Sequence, residues 1–244
     1  MALFTLPTDL REALSTLAKP LDARLRDYLP QLCGGILFAR GRRTVASWIR
    51  AAALHESFQL YYHFLDSLGR AVAAVSQALL LLLVRTLAAN ESRLVFAIDD
   101  TPTKRQGPKV QGAGMHHNPT PGAAGGEFFY GHVWVTVALL LRHSLWGTIG
   151  LPLRAWLYIR QVDVPKLPRA ERKRWTFRTK LDQAAEAISW LRKALDFLGK
   201  QIIVVADGFY AKQEVVTAAR AAKVVFITRL RHDAALFDRP EVPV

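Results

Sequence analysis

An apolar strand with no polar face has to be covered from both sides, and Gln201-Ile202-Ile203-Val204-Val205-Ala206 reads as such a strand, closed by Asp207-Gly208. A helical stripe precedes it: Leu181, Ala184, Ala185, Ile188, Leu191, Leu195 and Leu198 recur at helix spacing and stop at Gly199, a residue suited to ending a helix. A helix over about 211–222 and a strand over 224–228 follow. Strand, helix and strand in this order form a crossover unit, so the fold class is α/β.

A second apolar run, Leu94-Val95-Phe96-Ala97-Ile98, ends at Asp99-Asp100-Thr101-Pro102. From Lys104 to Gly126 the chain is dense in Gly and Pro without an apolar period, which predicts an excursion at the edge of the fold rather than an element. Phe128–Leu141 and Trp146–Ile159 then read as two long strands joined through Arg142-His143-Ser144, with Trp134, Trp146, Trp156 and Tyr158 as core residues. Residues 1–90 form a helical N-terminal region, with 91–244 as the α/β part. Leu10, Ala13, Leu14 and Leu17 share one face before Pro20; Leu21, Leu25 and Leu29 share another before Pro30. Thr44 is a candidate N-cap of a short helix, followed by a longer one through Phe58, Tyr61, Tyr62 and Leu65. Arg42 and Arg43 at that start suit a helix-turn-helix-like contact, or else a solvated basic corner. The run Ala71–Val84 is shorter than the roughly 20 residues needed to span a bilayer and predicts a buried helix.

Charge narrows the partners. With 33 Lys+Arg against 20 Asp+Glu the net charge is +13, which favours a polyanion, nucleic acid before an anionic membrane. At 51% hydrophobic residues the chain has ample surface to bury, which argues against disorder. A single cysteine, Cys33, excludes an intramolecular disulfide framework and reads as a small buried apolar residue. The first residues lack the pattern of a signal peptide, and a cytoplasmic location is expected. No phosphate-loop, dinucleotide-binding or nucleophile-elbow motif is present.

Two apolar strands that each end in aspartate place acids at the carboxyl ends of a sheet, where ligand sites lie. If the strands are neighbours, Asp99 or Asp100 together with Asp207 can hold Mg²⁺ or Mn²⁺, ions that favour oxygen ligands and serve phosphoryl transfer. Each motif taken alone is also an ordinary turn sequence. Pro165–Lys180 adds a second element: Lys166, Arg169, Arg172, Lys173, Arg174, Arg178 and Lys180 stand against one acid, Glu171. With Trp175 and Phe177 between the charges, this suits DNA-backbone contact and base stacking, or else a solvated linker whose aromatics dock on the sheet.

Phe96-Ala97-Ile98-Asp99-Asp100-Thr101-Pro102, the loop Gly112-Ala113-Gly114-Met115-His116-His117-Asn118-Pro119, the strand Tyr130-Gly131-His132-Val133-Trp134-Val135, and Val204-Val205-Ala206-Asp207-Gly208-Phe209-Tyr210 together resemble the DDE transposases of bacterial insertion sequences. The resemblance covers roughly residues 40–240. It implies an RNase H-like catalytic core, DNA transposition by metal-dependent strand cleavage and transfer, and double-stranded transposon ends as partner. A homo-oligomer, or a mixed oligomer with a full-length transposase, is the expected assembly, without a membrane. The family's first aspartate falls on the Asp99–Asp100 pair, with Asp100 preferred because it directly precedes Thr101, and the second falls on Asp207. The family's third acid, a glutamate on a downstream helix, matches neither Glu214 nor Glu241. The expectation is therefore an incomplete core, a C-terminally truncated copy; the alternative is a non-catalytic DNA-binding fragment that regulates a full-length enzyme. His116, His117 and Asn118 are candidate DNA or loop contacts; zinc is not expected there, since no cysteine lies nearby.

Overall fold

The computed structural model describes residues 6–54, 58–107, 109–118 and 126–230, without the Arg174 side chain. The chain divides into two compact units, residues 1–90 and 91–244.

The first unit is helical among its described residues. Helix α1 (Thr8–Ala18) precedes a 3₁₀ turn at Ala23–Leu25, then come α2 (Tyr28–Phe38), α3 (Val45–Ala51) and α4 (Phe58–Leu87). Pro30 does not end a helix as expected; it sits in the first turn of α2, where a missing N–H breaks no intrahelical bond. Thr44 caps α3 as predicted, its hydroxyl accepting from the Ser47 N–H at 3.2 Å. The core joins Leu21, Leu29, Leu32, Ile49, Tyr61 and Phe64. Gly35 lets α2 and α3 approach closely, because a Cβ there would lie 2.2 Å from the Trp48 carbonyl oxygen. Cys33 is half-buried, and burial pushes its thiol above the usual range. The expectation of a short buried helix over Ala71–Val84 is overturned. That run belongs to the 30-residue α4, of whose most apolar window only 17% is buried, and α4 is long and apolar enough to cross a membrane.

The second unit is a mixed α/β structure around a six-stranded sheet. Strands β1 (Arg93–Lys104), β2 (Gly114–His117), β3 (Phe128–His143), β4 (Gly147–Tyr158), β5 (Gln201–Ala206) and β6 (Val225–Thr228) occur with helices α5 (Arg169–Arg174), α6 (Lys180–Leu195) and α7 (Gln213–Ala221). The sheet order is β2-β3-β1-β5-β6, and β4 pairs with β3. β1, β5 and β6 are parallel, and β3 runs antiparallel to β1, β2 and β4. Alternate residues Leu94, Phe96 and Ile98 of β1 and Ile202 and Val204 of β5 are buried, as is the α6 stripe Ala184, Ala187, Ile188, Leu191 and Leu195. β5 thus buries Ile202 and Val204, while Ile203, Val205 and Ala206 are half-buried, contrary to a strand with two equally covered faces.

Three further expectations change. β1 does not stop at Asp99 but continues against β3 to the pair Lys104↔Gly131. The Gly-rich stretch contributes an edge strand, β2. Trp146 is no core residue: it lies outside both hairpin strands, 72% exposed, with its ring stacked on His143 at 4.3 Å. Trp156, by contrast, is buried, and its indole N–H donates to Glu186 at 2.9 Å.

Candidate active site

The site forms where β5 leaves the sheet. Its parallel pairing with β1 ends at Ile98↔Ala206, so the next residue on each strand is an aspartate, Asp99 beside Asp207. The chain after Asp207 turns away in a 3₁₀ turn (Gly208–Tyr210), which the carboxylate caps by accepting from the Phe209 N–H at 3.0 Å. Asp99 accepts from the Asp100 N–H at 2.7 Å. A cavity of about 1090 Å³ opens here, lined by Asp99, Asp100 and Asp207, with Lys180 from α6, Tyr158 from β4, and Phe209 and Tyr210 from the turn.

The two consecutive acids of β1 have different surroundings. Successive strand residues point to opposite faces, and Asp100 follows the buried set of Phe96 and Ile98. Both of its oxygens are engaged: Lys180 Nζ forms an ion pair with Oδ2, and the Tyr210 hydroxyl donates to Oδ1. Tyr210 is fully buried, and that burial, with the Asp100 charge beside it, pushes its phenol far above the ordinary value. Among the described residues Asp99 has no such counter-cation in contact, although the Lys180 charge acts on it from a distance. Desolvation raises its carboxyl above the usual range, and the carboxylates of Asp207 and Asp100 raise it further.

The predicted contact residues fall in several places. His116 is buried, its ring stacked on Phe129 at 5.5 Å, and burial, then Arg160 and Lys180, lower its pKa. His117 is exposed against the edge of the Phe128 ring, and Asn118 donates its side-chain amide to the Gly126 carbonyl at 3.3 Å. All three line the cavity. Much of the basic segment is engaged within the protein. Lys166 pairs with Asp163 at 2.7 Å, Arg178 with Glu186, Lys180 with Asp100, and Arg172 donates to the Pro165 carbonyl at 3.2 Å. Arg169 and Lys173 are exposed on α5, and Arg42 and Arg43 are exposed before α3 in the first unit. Glu214 lies in the first turn of α7 outside the cavity lining, and Glu241 lies outside the described residues.

Sequence reasoning gave no role to Tyr210 or Asp163. Tyr210 stood inside the Asp-Gly-Phe-Tyr motif, but only the fold shows its hydroxyl returning to β1, 110 residues back. Asp163 is buried at 4% exposure between Arg160 (2.6 Å) and Lys166, whose hydrogen bonds outweigh burial and hold its carboxyl below the usual range. It presses on the start of β2: a Cβ at Gly114 would lie 2.4 Å from its Oδ2.

A family model described as DDE superfamily endonuclease matches residues 16–244. The chain belongs to this family. No curated protein matches the chain. DDE superfamily endonucleases use divalent metals, and the donor set here fits such an ion in its chemistry. Asp99 and Asp207 present hard carboxylate oxygens at adjacent strand ends, and their mutual repulsion is the kind that a divalent cation relieves. Among the described residues no group of three or more His, Cys, Asp or Glu is arranged around one ion position. Two protein carboxylates with water and substrate oxygens match Mg²⁺, which seldom sits in an all-protein cage.

Proposed function

We propose that this protein is a DNA-cleaving and strand-transferring enzyme of the insertion-sequence transposase type, with an RNase H-like core that acts on double-stranded transposon ends. The observation that carries the reading is the parallel pairing of β1 and β5, which puts Asp99 and Asp207 side by side at the mouth of one cavity. Family membership supports it independently.

Asp99 and Asp207 would hold Mg²⁺ or Mn²⁺. Asp100, preferred from the sequence, is the weaker candidate ligand because Lys180 and Tyr210 already engage its two oxygens. A divalent ion bound there would stabilise charge on the oxygens of a phosphodiester during in-line displacement. The chain's own contributions are positional. The strand pairing sets the spacing of the two carboxylates, and the backbone N–H bonds to Asp99 and Asp207 fix their orientation. The aromatic faces of Tyr158 and Phe209 border the cavity, offering stacking surfaces to an unpaired base.

The test uses the purified full chain. Mn²⁺ binding followed by electron paramagnetic resonance should be lost in Asp99→Asn and Asp207→Asn, and Mg²⁺ or Mn²⁺ should support nicking of supercoiled plasmid by the wild type only. Plasmid binding without Mn²⁺ binding or nicking would overturn the enzymatic reading and favour the regulatory DNA-binding one, which the absence of a glutamate from the described cavity lining also favours.

A further inference from the structure

Lys180 belongs to the basic stretch by sequence, yet the fold half-buries it in the lining of the carboxylate cavity. It is the first residue of α6, and only 24% of its side chain is exposed. Three contacts hold its ammonium: Asp100 on one side, the Tyr158 ring at 5.6 Å and the Phe209 ring at 5.4 Å. Aromatic faces attract a cation without consuming its N–H donors. An ammonium has three such donors, and Asp100 takes one in this arrangement. Asp100 is itself fixed from its other oxygen by the buried Tyr210 hydroxyl. The chain Tyr210, Asp100, Lys180 thus runs from the core into the cavity and ends on a positive charge beside Asp99 and Asp207.

We propose that Lys180 binds a phosphodiester of the DNA backbone inside this cavity, and that Asp100 is the positioning residue of Lys180 rather than a metal ligand. The inference rests on the proposed function for the identity of its ligand, DNA, and adds the group that receives the phosphate. A lysine serves here as a point charge whose direction comes from its partners. A backbone phosphate near the two carboxylates meets repulsion, and the Lys180 cation lining the same cavity opposes it.

The experiment measures fluorescence anisotropy of a labelled 30-base-pair duplex against salt in EDTA, so that no metal takes part. Lys180→Gln should weaken binding and reduce the slope of log K against log salt by about one, the size of one lost phosphate contact. Lys180→Arg should keep the slope. Asp100→Asn should lose affinity while keeping Mn²⁺ binding, measured separately with the metal alone. Should Lys180→Gln fail to fold, reductive methylation of the wild type gives the same answer: DNA should protect Lys180 from the reagent. The proposal is overturned by an unchanged slope in Lys180→Gln, by methylation of Lys180 unaffected by DNA, or by loss of Mn²⁺ binding in Asp100→Asn. The two readings fail separately. Loss of the slope with no Mn²⁺ binding by the wild type would sink the enzymatic reading and keep the phosphate contact; Mn²⁺ binding that needs Asp99 and Asp207, with an unchanged slope, would do the reverse.

Discussion

His116 shows how a polar residue in an edge strand becomes part of a core. On β2 the burial alternates, so Gly114 and His116 turn inward while Met115 and His117 turn out. Burial, then the nearby cations of Arg160 and Lys180, outweigh Asp163 and a backbone bond at Gly131, so the imidazole stacked on Phe129 is held neutral and its pKa lies below the ordinary value near 6.5. The unfolded chain therefore binds a proton more readily than the folded one. Stability from this residue is complete above about pH 6.5 and is lost as pH falls through that value toward the folded pKa. Thermal melts between pH 8 and pH 5 should show a steeper acid decline in the wild type than in His116→Phe; parallel curves would remove the residue from the pH response. From sequence, His116 and His117 were equivalent as candidate contacts. Their separation depends on strand parity, and parity was invisible because the stretch was read as a loop.

At the scale of elements, legibility followed the hydrophobic period. α6 carries six of the seven apolar residues read at helix spacing, with Leu198 in the 3₁₀ turn that follows, and it forms where the pattern placed it, ending at Gly199 in the left-handed region (φ 63°). β5 was legible for the same reason, whereas its pairing with β1 was only a condition that the fold fulfils. The continuation of β1 was not, because Pro102 and two aspartates look like a stop. Beyond Ile98 that strand pairs with β3 alone, which leaves an open side where a proline is tolerated. The closeness of β1 and β3 in this extension appears at Gly131, where a Cβ would lie 2.2 Å from the Thr103 carbonyl oxygen. Since the obstacle is backbone, it cannot rotate aside. Gly131→Ala should destabilise the second unit by about 1–3 kcal/mol, the usual cost of overpacking, seen as a lower urea midpoint. An unchanged midpoint would mean that the two strands can part locally at no cost.

For the whole molecule, the net charge of +13 overstates the cation surface offered by the basic stretch. Sequence composition counts Lys166, Arg178 and Lys180 as part of a solvent-facing stripe, whereas each meets a carboxylate from elsewhere in the fold or the next turn. Lys166 and Arg160 neutralise a buried aspartate packed against Gly114, so their charges serve the start of β2. Among the described side chains of α5, Arg169, Arg172 and Lys173 remain exposed for a polyanion, and Arg172 bonds only a neutral carbonyl. Charges of that kind bind DNA through counterion release, each neutralised phosphate adding about 0.9 to the salt slope. The double variant Arg169→Gln/Lys173→Gln should therefore lower the slope by about two without changing the melting temperature. Lys166→Gln should behave in the opposite way, lowering the melting temperature through the exposed loss of one partner of Asp163 while altering the slope little. If the double variant keeps the full slope, α5 lies off the DNA path, and the charge that draws DNA to the carboxylates must come from another part of the chain, with Arg42 and Arg43 the next pair to neutralise.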